Sequence, residues 1–167
     1  DSIYLIDIVT RADTGERVWH FQVVHHDLWD YDVASQPSLL TVPRDGEQVP
    51  AVAVATKMGH LFLLDRRTGA PLFPVEERPV PASDVPGERA APTQPFPVRP
   101  VPLHPAGLAR DSVWGMDSTE RNACLALFDQ MRSGPMFTPP TLAGTIMYPG
   151  FAGGTTWGGV AWDRGRD

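Results

Sequence analysis

Between positions 71 and 105 the chain places Pro71, Pro74, Pro79, Pro81, Pro86, Pro92, Pro95, Pro97, Pro100, Pro102 and Pro105, eleven of its 18 prolines. A proline fixes φ and removes a backbone donor, so this stretch is barred from the middle of a sheet. It reads as a long extended excursion packed on a rim, with Phe96, Val98, Val101 and Leu103 available for burial. The regular structure must therefore lie on either side of it.

There the pattern is one of short apolar runs broken by glycine turns. Ile3–Ile6 is followed by Val18–Val23, in which Trp19, Phe21 and Val23 alternate onto one face. Val49–Ala55 and Leu61–Leu64 form a second pair, joined through Lys57-Met58-Gly59-His60 in the manner of a hairpin. Leu61–Leu64 is apolar without alternation, as a strand covered on both faces would be. Thr145–Tyr148 and Gly159–Trp162 are a third candidate pair. One helix is expected over about 118–133. Asp117 caps it, Glu120 completes a capping box, Cys124, Leu127, Phe128 and Met131 form its apolar stripe, and Gly134-Pro135 stops it. On that stripe Cys124 reads as a small buried hydrophobe rather than a nucleophile.

A weak repeat ties the strands together. Asp13-Thr14-Gly15-Glu16-Arg17-Val18-Trp19 returns as Asp65-Arg66-Arg67-Thr68-Gly69-Ala70-Pro71-Leu72-Phe73, with Thr68 lying 54 residues after Thr14 (68 − 14). Each copy puts an aromatic five residues beyond the Thr of a Thr-Gly turn. The offset is near the roughly 40–50 residues of a four-stranded propeller blade. In such a blade the Thr-Gly turn would join the third and fourth strands, and the aromatic would dock on the neighbouring blade. Two ordinary hairpins of an unrelated β protein are the competing explanation.

Composition removes several classes of function. The formal net charge of −6, with basic residues scattered among acids, argues against a nucleic-acid partner. No run of about 18 apolar residues is present to span a bilayer, and no leader segment is visible. The single cysteine, Cys124, excludes an internal disulfide and a thiolate-built metal site.

The densest polar cluster is His25-His26-Asp27-Leu28-Trp29-Asp30-Tyr31-Asp32. Residue types alone leave three readings open. The aspartates could form Asx turns and carry surface charge. A His and an Asp could share a metal, although adjacent histidines on a strand point to opposite faces and only one would reach it. Or one carboxylate is a catalytic base whose pKa a neighbouring Trp raises.

This run, continued by Ser35-Gln36-Pro37-Ser38-Leu39, resembles the active-site segment of glucose dehydrogenases dependent on pyrroloquinoline quinone (PQQ). The resemblance extends in order through Ala55-Thr56-Lys57-Met58-Gly59, Leu64–Gly69, Thr93-Gln94-Pro95-Phe96, Trp114-Gly115-Met116, Phe137-Thr138-Pro139-Pro140, Tyr148-Pro149-Gly150 and Trp157-Gly158-Gly159. It implies a mainly β fold: about three blades of an eight-bladed propeller, with residues 1–167 a fragment of one propeller domain. By position, Asp30 matches the family's catalytic base, which takes the proton of the sugar's anomeric hydroxyl as hydride leaves C1 for the quinone. Lys57 matches the lysine that hydrogen-bonds the reactive quinone carbonyl. Asp30 is also the implied neighbour of a divalent cation, Ca²⁺ or Mg²⁺. Trp157 matches a position near the cofactor, but Thr156 stands where relatives have Glu or Asn, which leaves a buried rim tryptophan as the simpler expectation.

The resemblance further implies an aldose substrate, ubiquinone as electron acceptor, and a site on the periplasmic face of the inner membrane, tethered by segments this chain does not contain. Cofactor contacts come from many blades, so the isolated chain is expected neither to bind PQQ tightly nor to turn over sugar. A quinoprotein acting on another alcohol or polyol is one alternative, although the vicinal cysteine pair of that branch is absent. A non-catalytic propeller scaffold is the other, and it would have no reason to keep Asp30 and Lys57 at this interval.

Overall fold

A computed structural model describes residues 5–165. Among the described residues seven strands form three small antiparallel sheets, accompanied by one α-helix and a single 3-10 turn at Arg110–Ser112. Strand β1 (Leu5–Thr10) pairs with β2 (Arg17–Val24). The first strand expected from sequence begins at Ile3, and Ile3 and Tyr4 lie outside the described residues. β3 (Ser38–Arg44), β4 (Glu47–Ala55) and β5 (Leu61–Asp65) form the central sheet in sequence order. β3 is not among the expected strands, because Pro37 and Pro43 flank its apolar centre. Its signal is the Asp45-Gly46 pair, whose φ values of 51° and 81° make the tight turn that sets Arg44 opposite Glu47.

The central sheet is apolar on both faces, and the alternation of β4 shows how. Val52 and Val54 join Trp19, Val23, Phe62 and Leu64 in the main core, while Ala51 and Ala53 join Leu40 and Leu72 on the opposite side. Along β5, Phe62 and Leu64 point to the first cluster and Leu61 and Leu63 to the second. This is the two-sided coverage expected of its unbroken apolar run. Along β2, Trp19 and Val23 are buried and Phe21 is half-buried against Phe62, at 5.4 Å between ring centroids.

The repeat is geometric as well as sequential. Gly15 N–H donates to Arg11 O at 2.8 Å, and 54 residues later Gly69 N–H donates to Asp65 O at 2.8 Å. Both glycines have positive φ, 72° and 75°. Glu16 N–H reaches the Thr14 hydroxyl, as Ala70 N–H reaches that of Thr68. After the second turn Leu72 N–H bonds Leu63 O, adding a single bridge, Leu64 to Pro71, at the edge of the central sheet, which Pro71 and Pro74 keep from lengthening. Trp19 docks on this neighbouring unit: its indole N–H donates to Arg66 O at 2.9 Å, and its ring lies flush against Gly69.

The proline-rich excursion contains an unexpected ribbon, formed by β6 (Val75–Pro79) and β7 (Thr93–Pro97). Val80 N–H donates to Pro92 O and Val98 N–H to Pro74 O. The hydrogen-bonded positions are thus the even-numbered ones, where Pro74 and Pro92 need only accept. Pro79, Pro95 and Pro97 fall on the odd positions, whose missing N–H groups would have pointed away from the partner strand. A two-stranded ribbon can hold such residues where a central strand cannot.

The helix α1 spans Ser118–Phe128, ending short of the expected 133. Asp117 accepts from Glu120 N–H at 2.9 Å, but the Glu120 carboxylate takes Met116 N–H, one residue before the cap, so the capping box is formed only in part. Beyond Phe128 the chain turns out to a bridge between Arg132 and Thr145. Its buried stripe is Leu125 and Phe128, set against Val113, Leu108 and Ile146. Cys124 and Leu127 are exposed, contrary to expectation, because the helix meets the rest of the chain through one narrow line only. Thr145–Tyr148 and Gly159–Trp162 do not pair as strands either. Pro149 and five glycines between 150 and 159 interrupt the segment, and Val160 lies beside the edge of β3, its carbonyl accepting from the Ser38 hydroxyl at 3.1 Å.

The two turns share a conformation and differ in packing, which gives a direct test. Gly15→Ala has open space around the new methyl and should cost about 1–2 kcal/mol for the left-handed backbone. Gly69→Ala would place Cβ 2.6 Å from the Trp19 ring and should cost about 1–3 kcal/mol more. Urea midpoints of the two variants measure the difference, and equal losses would remove the docking of Trp19 as a stabilising contact.

Candidate functional site

β2 ends at Val24, and the polar cluster comes next as a loop tightly ordered by its own first aspartate. The Asp27 carboxylate accepts Trp29 N–H at 3.0 Å and Tyr31 N–H at 2.9 Å. Of the three aspartates, Asp27 is the Asx-turn former. Burial raises its pKa above the carboxylate norm; the two amide hydrogen bonds oppose the shift, and the charges of Asp30 and Asp32 add to it. Trp29 and Tyr31 turn inward. The Trp29 indole donates to Thr138 O at 2.8 Å, the Tyr31 hydroxyl donates to Pro149 O at 2.7 Å, and both rings pack edge-on to Phe137. Burial, with Asp27 adding to it, pushes the Tyr31 phenol well above its usual pKa.

With Trp29 anchored in the core, Asp30 is turned out at a positive φ of 59°. Its side chain is 69% exposed. The expected arrangement, a carboxylate desolvated by the adjoining Trp, is therefore not the one present: the ring faces the core and the carboxylate faces solvent.

Lys57 comes to meet it from the β4–β5 hairpin. The turn is closed by Thr56 N–H to His60 O at 3.0 Å and Gly59 N–H to Thr56 O at 2.9 Å. Lys57 is not a surface lysine, since its side chain is only 11% exposed. The ammonium donates to Asp30 O at 2.9 Å and to Asp30 Oδ2 at 3.1 Å, and it is paired with Asp32 Oδ1. Burial acts to lower its pKa, but the hydrogen bonds to Asp32 and Asp30 and their charges outweigh it, holding the ammonium above its ordinary value. Asp32 was not singled out by sequence, although it lies in the same acidic run.

The 150–159 loop closes over this lysine. Gly154 N–H donates to Lys57 O at 2.8 Å, and a Cβ on Gly153 would stand 2.5 Å from Lys57 Cγ, so only glycine fits there. The same loop carries Trp157 back out to solvent, where it is 85% exposed rather than buried on a rim. Gly153 and Gly154, earlier in the loop, pack on Lys57 and His104, whereas next to Trp157 a Cβ on Gly158 would meet nothing within 4 Å.

Neither His25 nor His26 approaches a metal-type cluster. His25 Nε2 hydrogen-bonds Glu77 at 3.0 Å and His26 Nε2 hydrogen-bonds Glu88 at 2.9 Å, both partners belonging to the proline-rich excursion. Among the described residues no three His, Cys, Asp or Glu side chains converge as a metal site would require. Asp30 and Asp32 offer hard carboxylate oxygens, which suit Ca²⁺ or Mg²⁺, but two residues are only part of a six- to eight-oxygen shell. Gln94, fully buried, grips the start of the loop: its carbonyl accepts His25 N–H at 2.8 Å and its amide donates to His25 O at 2.6 Å.

A polar, part-solvated carboxylate held against a buried ammonium can take a proton from a hydroxyl, while the cation stabilises nearby negative charge. Comparison with known proteins gives the chain a family. Residues 8–167 match the PQQ family model described as glucose/ethanol/alcohol dehydrogenase, β-propeller domain. The chain is 44% identical over 161 residues to a quinoprotein glucose dehydrogenase of Gluconobacter oxydans, covering 95% of this chain and 20% of that protein. It is 41% identical over 157 residues to a probable quinate dehydrogenase (quinone) of Xanthomonas campestris pv. juglandis, covering 93% and 20%. A third relative, the quinoprotein glucose dehydrogenase of Escherichia coli, is 38% identical over 160 residues, covering 96% and 20%. The chain belongs to the PQQ-dependent dehydrogenase β-propeller family, and it spans about a fifth of the length of these relatives.

Behind the Lys57 turn, His60 is buried against Phe62, Phe96 and Phe137, and its Nδ1 has no hydrogen-bond partner among the described residues. Burial, helped by the charges of His104 and Arg78, lowers its pKa from 6.5 to about 4. The folded chain therefore binds this proton less readily than the unfolded chain, and stability falls as pH drops from 6.5 toward 4. His60→Leu should remove up to about 3 kcal/mol of that pH dependence. Urea unfolding of wild type and variant at pH 7 and pH 4.5 measures it, and parallel losses in both proteins would show that His60 does not titrate as its burial demands.

Proposed function

We propose that this chain supplies the proton-accepting and charge-stabilising residues of a PQQ-dependent dehydrogenase that oxidises glucose or a related aldose to its lactone. The observation that carries the proposal is the contact of Asp30 with Lys57 at 3.1 Å, made by residues 27 positions apart in a chain of this family. Bound PQQ would supply the two-electron acceptor, and a Ca²⁺ or Mg²⁺ ion, with Asp30 among its oxygen ligands, would supply Lewis acidity.

The rest falls to the chain's own groups. Asp30 presents its carboxylate outward, with Oδ2 and the backbone carbonyl tied to Lys57, so the base has one orientation and accepts the proton of the substrate hydroxyl. Lys57 keeps its charge through the pairing with Asp30 and Asp32 and stabilises negative charge as it develops nearby. Asp30 is the residue proposed to neighbour the cation, with Asp32 adjoining. Trp157, exposed on the loop that crosses Lys57, is proposed to meet the cofactor or another part of the full-length protein. Residues 1–167 are read as a fragment of one propeller domain whose other blades complete the site. Ubiquinone is the proposed electron acceptor, and the periplasmic face of the inner membrane the proposed location. Among the described residues no helix is long and apolar enough to cross a membrane.

A polyol or cyclic alcohol is the second reading of the substrate. It is favoured by the 41% identity to the probable quinate dehydrogenase and the 43% identity to the glycerol dehydrogenase large subunit of Gluconobacter oxydans, both near the value for the glucose enzyme. The test uses the full-length protein: dye reduction driven by glucose, quinate or glycerol after addition of PQQ and Ca²⁺. Asp30→Asn should lower kcat by about 10²- to 10⁴-fold, and Lys57→Ala should lower it as well. Full activity in a folded Asp30→Asn protein would remove Asp30 as the base, and a preference for quinate or glycerol would move the substrate to the second reading.

A further inference from the structure

The loop that carries Asp30 is gripped from outside by the proline-rich excursion, and Gln94 is the centre of that grip. Its amide is wholly buried and answers both backbone groups of His25, at 2.8 and 2.6 Å, from 69 residues away. His25 is the first residue past β2, and the loop beyond it is held in sparsely populated backbone: φ is 42° at His26 and 59° at Asp30. Neither residue is glycine, so each conformation persists only while its surroundings impose it. From within, Asp27 imposes it through the amides of Trp29 and Tyr31. At the loop's entry, the Gln94 side chain takes the place of a strand partner for His25. The flanking contacts of Glu77 with the His25 ring and Glu88 with the His26 ring are exposed and come from the same excursion.

We infer that Gln94 is a positioning residue for Asp30: the proline-rich ribbon serves as a brace that fixes the entry angle of the catalytic loop. The inference rests on the proposed role of Asp30, but its structural half is independent of that role. The ribbon suits the task because its prolines limit the backbone freedom of the strand that carries Gln94. The register Arg78↔Gln94 sets the glutamine one pair in from the end of the ribbon, and the bond from Val80 N–H to Pro92 O closes the ribbon beyond it.

Two variants separate bracing from general stability. Gln94→Met keeps approximate volume and removes both hydrogen bonds. Gln94→Glu can still accept His25 N–H but cannot donate to His25 O when ionised. Both are made in the full-length protein. Hydrogen–deuterium exchange of peptides over residues 25–32 is compared with that over residues 47–65 in the central sheet. Faster exchange over 25–32, with 47–65 unchanged, is expected in both variants, the larger change in Gln94→Met. With PQQ, Ca²⁺ and the preferred substrate, kcat should fall by up to about a hundred-fold while KM stays near wild type, the sign of a displaced reacting group.

Unchanged exchange over 25–32, exchange raised equally everywhere, or a KM increase at wild-type kcat would each overturn the inference. If Gln94→Met fails to fold, Gln94→Glu carries the same readouts. If the wild-type protein shows no PQQ-dependent turnover, the proposed function fails by that control, and the exchange comparison still decides whether Gln94 braces the loop.

Discussion

A lysine ammonium has been taken out of water at the tip of the β4–β5 hairpin, and the surrounding structure is arranged to answer it. Left unpaired, a buried charge costs several kcal/mol. Lys57 has three N–H groups, and Asp30 O, Asp30 Oδ2 and Asp32 Oδ1 receive them. For both carboxylates to arrive, the loop after β2 must turn sharply at Asp30. That turn is anchored by Trp29 and Tyr31, whose rings enter the core on either side of it. The polar site and the hydrophobic core are thus two sides of one short segment, with alternate residues serving each.

The same economy appears where the loops cross. Gly153 is against Lys57, and Gly59 and Gly154 are against His104, each at a distance that a methyl group could not occupy. These close approaches let the 150–159 loop cover the lysine stem and reach back toward solvent at Trp157. The result is a cation shielded on its apolar stem and open at its carboxylate partners.

The proline-rich excursion takes on a different character once its pairing is known. Prolines spaced at alternate positions do not forbid a two-stranded ribbon; they select which edge of each strand is bonded. That selection puts Gln94 and Arg78 on one register pair and lets the glutamine reach His25. An element that sequence marks mainly as barred from the central sheet turns out to contact the segment bearing the proposed base.

Much of the local structure is written in side-chain type and spacing. The apolar run Leu61–Leu64, the Thr-Gly turns 54 residues apart, the Asp117 cap and the glycine hairpin at Lys57 are all legible there, and the structure has each of them. Asp30 and Lys57 were legible only through their resemblance to a family, since an acidic loop and a turn lysine are otherwise ordinary. The contact between them arises only in the folded chain, as do the pairing with Asp32, the grip of Gln94 on His25, the exposure of Cys124 and Trp157, and the absence of a strand pair after Thr145. Each depends on which surfaces meet across long intervals of chain. Periodicity tells which residues share a face, but only packing tells whether another surface arrives to cover it, and a buried charge or amide is explicable only when its distant partner is known.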